Sequence, residues 1–411
     1  MLERRCGGVP RQLQDLQALG HHFRLGADKP RGARYLVAAG DWARGIYANA
    51  DAIRHYELAL QTLHDCGDPQ AQSVSVRERL ADVMVPAGHI ADAAEHYEAV
   101  REAFAQMSDD PAQARVLRKL SGLRWEAGER GEALRCLEQG LTLAERGPAH
   151  IECAKLYQER GQLAFRSGDN LGALQWTQRA LQHIEGLAAH GDEERRDAAA
   201  VVALSLNTVG AALARLDRLD EAVTQLERSV TVARDAELPQ AECRALSNLG
   251  VLYSSRDPQR AIDACERGLH TAQRIGDLGL QSRLYANLAV AYCTLTNRCD
   301  DRGVGAAHSA IRIDRSTGQL DHLAVSLVVL GQIYQCHGDP RRALGFYQEA
   351  LALAEKSGEP QLLFPCYDGL ATLHLDRDEL EEAERYMALA KDTCERAGLD
   401  PDALVVLPFL A

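Results

Sequence analysis

One short sequence pattern recurs about every 40 residues along most of this chain. In each copy a large apolar residue precedes a small one, and an aromatic residue often follows three positions later, as in 249–253 and 330–334. A chain with this period folds as consecutive copies of one small unit, because each unit buries its apolar face only against its neighbours. The small residues of eight copies are Ala81, Ser121, Gly161, Gly210, Gly250, Ala289, Gly331 and Ala371.

Each copy contains two helices. A second small residue follows the first by about twelve positions, and a third lies seven further on, as at Ala343 and Ala350. Glycines such as Gly168 and Gly338 separate the two segments, and glycine just past a helix end supplies a left-handed turn. The pattern therefore predicts a first helix (helix A), a short turn and a second helix (helix B), packed closely through their small residues.

This pattern resembles the tetratricopeptide repeat family. The segment 343–351 closely matches the second helix of that repeat, and the period near 40 is similar to longer-helix variants found in bacterial regulators. The resemblance implies an all-α fold, an α-α superhelix (solenoid) with a concave groove lined by helix A.

The N-terminal segments 16–23, 33–40 and 47–56 carry a second, narrower resemblance. They look like the start of the helical repeats in bacterial signal-transducing ATPases and ATPase-linked class III adenylate and guanylate cyclase regulators. The sequence has no G-x-x-x-x-G-K-[ST] loop to hold nucleotide phosphates. We therefore expect the sensor arm of such a system without its ATPase.

Two irregular intervals define the expected organisation. The spacing between Gly161 and Gly210 is 49 residues, which indicates an insertion around 183–199 that is either a tolerated surface segment or a hinge. A second irregularity, at 297–303, predicts a lengthened loop between helices. The expected parts are an irregular N-terminal cap with a degenerate first repeat (1–60), repeats at 74–182, the insertion at 183–199, repeats at 200–390, and a capping tail at 391–411.

Charge and composition exclude several classes of function. Lys and Arg number 46 against 59 Asp and Glu, a net charge of −13 that argues against a nucleic-acid or anionic-membrane surface. No apolar run approaches the roughly 18 residues of a membrane span. The eleven cysteines are irregularly spaced and contain no C-x-x-C pair, so we expect buried or incidental thiols and no metal site. No catalytic motif is present, which predicts a non-enzymatic, cofactor-free cytoplasmic protein.

Candidate binding residues follow from the family resemblance, which implies that helix A forms the ligand face. The position six residues before the small residue is basic in four of five central repeats, the exception being Leu204. Such a surface fits an acidic peptide or chain terminus, because arginine binds carboxylates through two parallel hydrogen bonds. Alternatively, these arginines pair with carboxylates of neighbouring helices. The predicted partner-binding residues are Arg115, Arg118, Trp125, Lys155, Phe165, Arg166, Arg215, Arg244, Asn248, Arg283 and Asn287.

The sequence thus favours a non-catalytic scaffold that binds a protein or acidic peptide in a helix-A groove, in a bacterial signalling system. One alternative is a regulator whose groove receives a small molecule or signalling peptide and changes shape. Another is an assembly factor associated with an enzyme.

Overall fold

The chain is all-α in the residues that the structure, a computed structural model, describes: 12–67, 70–147, 150–187, 191–296 and 300–397. They form nineteen helices and no strand. The helices are α1 (Leu13–Leu25), α2 (Lys29–Gly45), α3 (Asn49–Asp65), α4 (Gln70–Met84), α5 (Ile90–Met107), α6 (Asp110–Glu126), α7 (Arg130–Ala144), α8 (Ile151–Arg166), α9 (Asn170–Glu185), α10 (Asp192–Arg215), α11 (Leu219–Asp235), α12 (Pro239–Ser254), α13 (Pro258–Arg274), α14 (Leu278–Thr296), α15 (Asp301–Thr317), α16 (Leu320–Cys336), α17 (Pro340–Ser357), α18 (Pro360–Leu375) and α19 (Leu380–Ala397).

Consecutive helices pack as pairs, beginning with α2 and α3 and ending with α18 and α19. The first helix of each pair is helix A of a repeat and the second is helix B. The small residues lie at the contact between them: a side-chain carbon added at Gly161 would approach Thr177 to 2.7 Å, and one at Gly331 would approach Tyr347 to 2.9 Å. This confirms the predicted all-α repeat fold, in which small residues of helix A let a side chain of helix B, such as Thr177 or Tyr347, approach closely.

The turn within a repeat is short because its backbone enters the left-handed region. Gly168 and Gly338 have φ angles of +91° and +85°, a conformation that glycine adopts without steric cost. A capping residue then begins the next helix. Before α9, the Asp169 carboxylate accepts a hydrogen bond of 2.7 Å from the Gly172 amide.

The first repeat is more regular than the sequence suggested. Helices α2 and α3 form a complete pair, in which Gly40 packs against the buried Tyr56. A side-chain carbon added at Gly40 would lie 2.5 Å from the Tyr56 ring. Helix α1 precedes this pair and packs on α2. At the other end, α19 continues to Ala397, and the rest of the predicted tail lies outside the described residues.

The two irregular intervals are largely helical. Residues 192–199 of the expected insertion form the first two turns of α10, which is therefore 24 residues long; residues 188–190 lie outside the described part. Asp301 to Gly303 were expected in a loop but begin α15, with Asp300 as its N-cap, and 297–299 are outside the described residues. Glu and Arg are good helix formers, which explains the extension of α10 over 192–199. At α15 the Asp300 side chain accepts a hydrogen bond from the Arg302 amide, and this N-cap begins the helix.

The chain divides into two compact units. Residues 1–147 with 274–277 form one, and 148–273 with 278–411 form the other. Unit 1 contains the repeats from α2 to α7, and unit 2 contains those from α8 to α19. The division falls between Gly147 and Pro148, whereas the expected hinge segment 183–199 lies inside unit 2.

One described helix, α10, is long and apolar enough to cross a membrane by length and composition. The sequence analysis did not anticipate it, because polar residues such as Asn207 interrupt the apolar run. In the fold 61% of this apolar window is buried, and α10 packs against α8, α9, α11 and α12. Its composition is that of a core helix of unit 2.

Candidate functional site

In unit 2 the A helices lie side by side, so residues at matching positions in successive repeats are neighbours. Helix α8 contacts α10, α10 contacts α12, and the series continues through α14 and α16 to α18. This arrangement brings predicted site residues that are about 40 positions apart in sequence within reach of one another.

Arg115 and Glu78 form the strongest ion pair among the predicted residues of unit 1. Arg115 donates from Nε and Nη2 to the two carboxylate oxygens of Glu78 at 2.8 and 2.9 Å, and Lys119 Nζ donates to the same carboxylate at 2.9 Å. Burial by itself would raise the pKa of Glu78, but these bonds and charges outweigh it and lower the pKa to about 2. The positive charge of Arg115 is therefore largely neutralised by Glu78 within the protein.

An aspartate at the same position of α2 and of α4 links each of these two A helices to its own helix B and to the next helix A. Asp82 accepts a hydrogen bond from Tyr97 Oη at 2.5 Å and one from Lys119 Nζ at 2.5 Å. Asp41 makes the corresponding bonds, with Tyr56 Oη at 2.7 Å and with Arg79. The acidic residues of this surface thus fix the register of adjacent repeats.

The other two predicted residues of unit 1 differ in accessibility. Arg118 is half-exposed on α6. Trp125 is 2% exposed, and the Arg130 guanidinium covers its ring at 4.3 Å from the centroid. Trp125 therefore packs in the interior here and offers no contact surface to a ligand.

Four predicted basic residues of unit 2 are half-exposed on A helices. Lys155 pairs with Asp197 at 2.6 Å, and Arg283 Nη2 lies 3.2 Å from His322 Nε2. Arg166 ends α8. Arg244 has no hydrogen-bond or ion-pair partner among the described residues, so its guanidinium is available to an incoming group.

The two predicted asparagines are buried and hold adjacent A helices together. Asn248 Nδ2 donates to Asn207 Oδ1 at 2.9 Å, and Asn287 Nδ2 donates to Ser247 at 3.0 Å (carbonyl) and 2.9 Å (hydroxyl). Lys119 and Glu78 occupy the matching positions in unit 1. These amides form an inter-repeat ladder, and their exposed fractions of 1% and 3% leave no polar atom facing a groove.

Phe165 and Arg215, the remaining predicted residues, are buried against each other. The Arg215 guanidinium carbon lies 4.0 Å from the centre of the Phe165 ring, and its Nη1 donates to the Phe165 carbonyl at 3.1 Å. Gln361, from the start of α18, completes this cluster. Nothing in the sequence pattern points to Gln361, because it lies 146 residues from Arg215.

A second surface feature lies on the helix-B side of unit 2. A groove of about 330 Å³ runs between α11, α12 and α13, with Leu246, Leu249 and Tyr253 in its floor and Arg234 and Arg260 at its rim. Both arginines are already paired, with Glu242 and Glu227 respectively. None of the predicted site residues lines this groove.

The described residues contain no group of three His, Cys, Asp or Glu side chains arranged to hold a metal ion. The nine described cysteines are free thiols. Cys265 packs under Gly250, and burial raises the pKa of its thiol to about 12. Such a thiol behaves as a small apolar group.

Comparison with protein families identifies the repeat. Three family models, each describing a tetratricopeptide repeat, match residues 201–274, 326–361 and 366–397. These three segments are tetratricopeptide repeats. Proteins with this repeat generally bind other proteins. The matched segments cover repeats of unit 2, and the first helix pair of unit 1 has the same kind of small-residue contact, at Gly40.

One relative and three solved structures illustrate the likeness. The chain is 25% identical over 143 residues to tetratricopeptide repeat protein 29 of Trypanosoma brucei brucei; the match spans 34% of this chain and 29% of that protein. The Rap conjugation gene regulator of the plasmid pLS20, in complex with the Phr* peptide, has a TM-score of 0.57 and 13% identity, covering 89% of this chain and 96% of that chain.

A Rap protein complexed with Competence and Sporulation Factor has a TM-score of 0.55 and 12% identity, covering 80% and 99% of the two chains. A signal-transduction ATPase with numerous domains and a tetratricopeptide repeat sensor, from Pyrococcus horikoshii, has a TM-score of 0.49 and 13% identity, covering 93% and 55%. At these identities the Rap structures show a common fold.

Proposed function

We propose that this protein is a non-catalytic cytoplasmic scaffold that binds an acidic segment of a protein or peptide on its helix-A surfaces, as the sensor or scaffold arm of a bacterial signalling system. The observation that carries the proposal is Arg244, a half-exposed cation on helix A that has no partner among the described residues. An unpaired guanidinium attracts carboxylates, to which it donates two parallel hydrogen bonds. The peptide- and factor-bound Rap structures support the same use of a similar fold.

The basic residues contribute unequally to this proposal. Arg244 is half-exposed and has no partner among the described residues, so we expect it to contribute most on the helix-A surface of unit 2. Arg166 of unit 2 and Arg118, on the helix-A surface of unit 1, are half-exposed as well. Lys155 and Arg115 already pair with Asp197 and Glu78, so a ligand would have to compete with those carboxylates. We expect their contribution to be smaller, because exchanging one ion pair for another yields little net free energy.

The test replaces Arg118 and Arg244 by glutamate and leaves Arg115 intact, because removing Arg115 would leave the buried Glu78 with one fewer counter-charge. Arg312→Glu is the matched control, since Arg312 is exposed on a B helix of unit 2. Tagged wild type, R118E/R244E and R312E are used to capture partners from the native lysate, with quantitative mass spectrometry. Affinities for the captured partner are then titrated directly.

We expect the double variant to lose at least about tenfold in affinity for a partner that wild type and Arg312→Glu retain, because each lost charge-assisted contact contributes about 1.5–3 kcal/mol. Circular dichroism should show unchanged helicity in all three proteins. Equal affinity of the double variant would refute binding through the helix-A arginines.

A second candidate function is a regulator whose groove receives a signalling peptide or small molecule and changes shape. The contact between Gln361 of α18 and the end of α8 favours it, because this contact joins the first and last A helices of unit 2. The two functions differ in solution scattering. A ligand that changes the radius of gyration supports the regulator, whereas a ligand that binds without such a change supports the scaffold.

A further inference from the structure

Arg215 is a buried cation that lacks a carboxylate partner among the described residues. Its side chain is 3% exposed at the end of α10. Burial is what lowers the pKa of Arg215, to about 9, and no neighbouring negative charge opposes that shift. Burying a guanidinium without a counter-ion is costly. A protein that retains such a residue has either a compensating structural use for it or a ligand that supplies the charge.

The hydrogen bonds of Arg215 are incomplete on the edge that arginine uses for carboxylates. Nη1 donates to the Phe165 carbonyl, and Nη2 donates to Gln361 Oε1 at 3.1 Å, but Nε has no partner in the described structure. In the same protein Arg115 holds the Glu78 carboxylate with this same pair of nitrogens, Nε and Nη2. The Nε and Nη2 edge of Arg215 is thus a carboxylate-binding edge on which one nitrogen is empty and the other is taken by a neutral amide.

Gln361 occupies the position where a carboxylate would bind. Its Oε1 accepts from Arg215, while its Nε2 donates to the carbonyls of Phe165 (3.3 Å) and Arg166. These carbonyls lie in the last turn of α8, and that of Phe165 also accepts a hydrogen bond of 3.0 Å from the Gly168 amide. Gln361 is half-exposed, so it can leave without unfolding a core, and its departure would uncover Arg215.

We propose that Arg215 is a carboxylate-binding site in which the Gln361 side chain is the resident substitute, and that a carboxylate of an acidic peptide replaces Gln361 and releases α18 from the end of α8. The inference rests on the proposed function in one respect, that the ligand is an acidic peptide. It adds the residue that receives the carboxylate and the contact that the ligand breaks.

Charge and geometry both favour the exchange. A carboxylate accepts from Nε and Nη2 together, which satisfies the empty nitrogen and neutralises the buried charge, whereas an amide oxygen accepts from one nitrogen only. Gln361 also lies in the first turn of α18, where the helix dipole favours a negative charge. In the absence of ligand, Phe165 and the carboxyl end of α8 stabilise the guanidinium through the ring face and the carbonyl groups.

Gln361→Glu tests the site without any external ligand, because it installs a carboxylate on the side chain that already touches Arg215. We expect Tm to rise by about 3 °C, because charge-assisted bonds from Nε and Nη2 of Arg215 outweigh the bonds to the Phe165 and Arg166 carbonyls that the amide nitrogen loses. Because the pair is buried, added salt should reduce this rise only slightly. Gln348→Glu is the matched control, since it adds the same charge at an exposed position of a B helix. We expect that control to change Tm by less than about 1 °C.

The binding test uses a hexaglutamate peptide with both ends blocked, and a hexa-alanine peptide with a blocked amino end and a free carboxyl end. We expect one of them to bind wild type in calorimetric titration, and Gln361→Glu to weaken that binding at least about tenfold, since its own carboxylate fills the site. Gln361→Ala should tighten binding. If hexaglutamate is the peptide whose binding these variants change, side-chain carboxylates enter the site; if it is hexa-alanine, the terminal carboxylate does.

Two variants separate this inference from the proposed function. If hexaglutamate binds wild type, Arg215→Met and Gln361→Glu equally well but not Arg118→Glu/Arg244→Glu, the acidic-partner function stands and the Arg215 site is refuted. If neither peptide binds wild type or Gln361→Ala, both proposals fail. A Gln361→Glu protein with unchanged or lower Tm also overturns the site, and this measurement holds even if Arg215→Met does not fold.

Discussion

Charged residues on the A helices are mostly paired with partners from the neighbouring repeat, and Glu78 is the clearest case. It is 9% exposed and is held by Arg115 and Lys119 of the next helix A. A carboxylate this strongly bound contributes to folding only while it is ionised. Its contribution to stability must therefore depend on pH.

The direction of this pH dependence follows from the lowered pKa of Glu78. The pKa of Glu78 falls from an ordinary 4.5 to about 2 on folding, so its contribution, about 3 kcal/mol, is complete above pH 4.5 and disappears as the pH falls towards 2. We expect Glu78→Gln to have a lower free energy of unfolding than wild type at pH 7. Between pH 7 and pH 3 the free energy of unfolding of the variant should fall by about 2 kcal/mol less than that of wild type. Urea unfolding at the two pH values measures the difference.

Glu221→Gln provides the control, because Glu221 forms an exposed pair with Arg218 at the start of α11. Its removal should leave the pH dependence close to that of wild type, since exposed pairs contribute little. The interpretation of Glu78 would be wrong if both variants shifted the pH dependence equally.

At the scale of the element, each repeat depends on one close approach between helices A and B. In the sixth repeat this approach is between Gly250 of α12 and Cys265 of α13, where an added side-chain carbon would overlap the buried sulfur. Gly345, in contrast, lies in the middle of α17 with no atom within 4 Å of the added carbon. The same substitution therefore has opposite expected effects at the two positions.

We expect Gly250→Ala to destabilise the protein by about 1–3 kcal/mol, through overpacking. Gly345→Ala should stabilise it by about 0.5–1 kcal/mol, because alanine has the higher helix propensity. Adding Cys265→Ala to Gly250→Ala should restore part of the loss, since it removes the obstructing sulfur. Chemical unfolding of the four proteins measures these effects; a Gly250→Ala protein as stable as Gly345→Ala would contradict the packing argument.

The element scale is also where the sequence was most informative. Small residues at a 40-residue period predict helix pairs, because only small side chains allow the approach seen at Gly161 and Gly331. The partners of Asn248 and Asn287 follow from the same register once adjacent A helices are known to be neighbours. The contact between Arg215 and Gln361 does not follow, because it depends on the rotation accumulated over several repeats, which no local pattern encodes.

At the scale of the whole molecule, the two compact units should unfold separately. A chain of stacked repeats has nearly nearest-neighbour energetics, so a local change affects mainly its own unit. The three tryptophans allow this to be measured: Trp42 and Trp125 belong to unit 1, and Trp176 belongs to unit 2. Each unit can therefore be given its own fluorescence signal.

We expect Gly40→Ala, which forces a side-chain carbon against Tyr56, to lower the urea midpoint reported by Trp42 and Trp125 in a Trp176→Phe background. The midpoint reported by Trp176 in a Trp42→Phe/Trp125→Phe background should change much less. Gly250→Ala should show the reverse. Equal shifts at both signals would mean that the chain unfolds as one cooperative unit.

The inter-repeat ladder has a consequence for how such a chain can grow by gene duplication. Ser247 and Asn248 are consecutive residues of one repeat, and each bonds to a different neighbour, Asn287 on one side and Asn207 on the other. A tandem copy of residues 239–277 would place a second Asn248 beside the first Ser247, the same pair of residue types that Asn287 and Ser247 form. This repeat can therefore be copied without burying an unsatisfied amide.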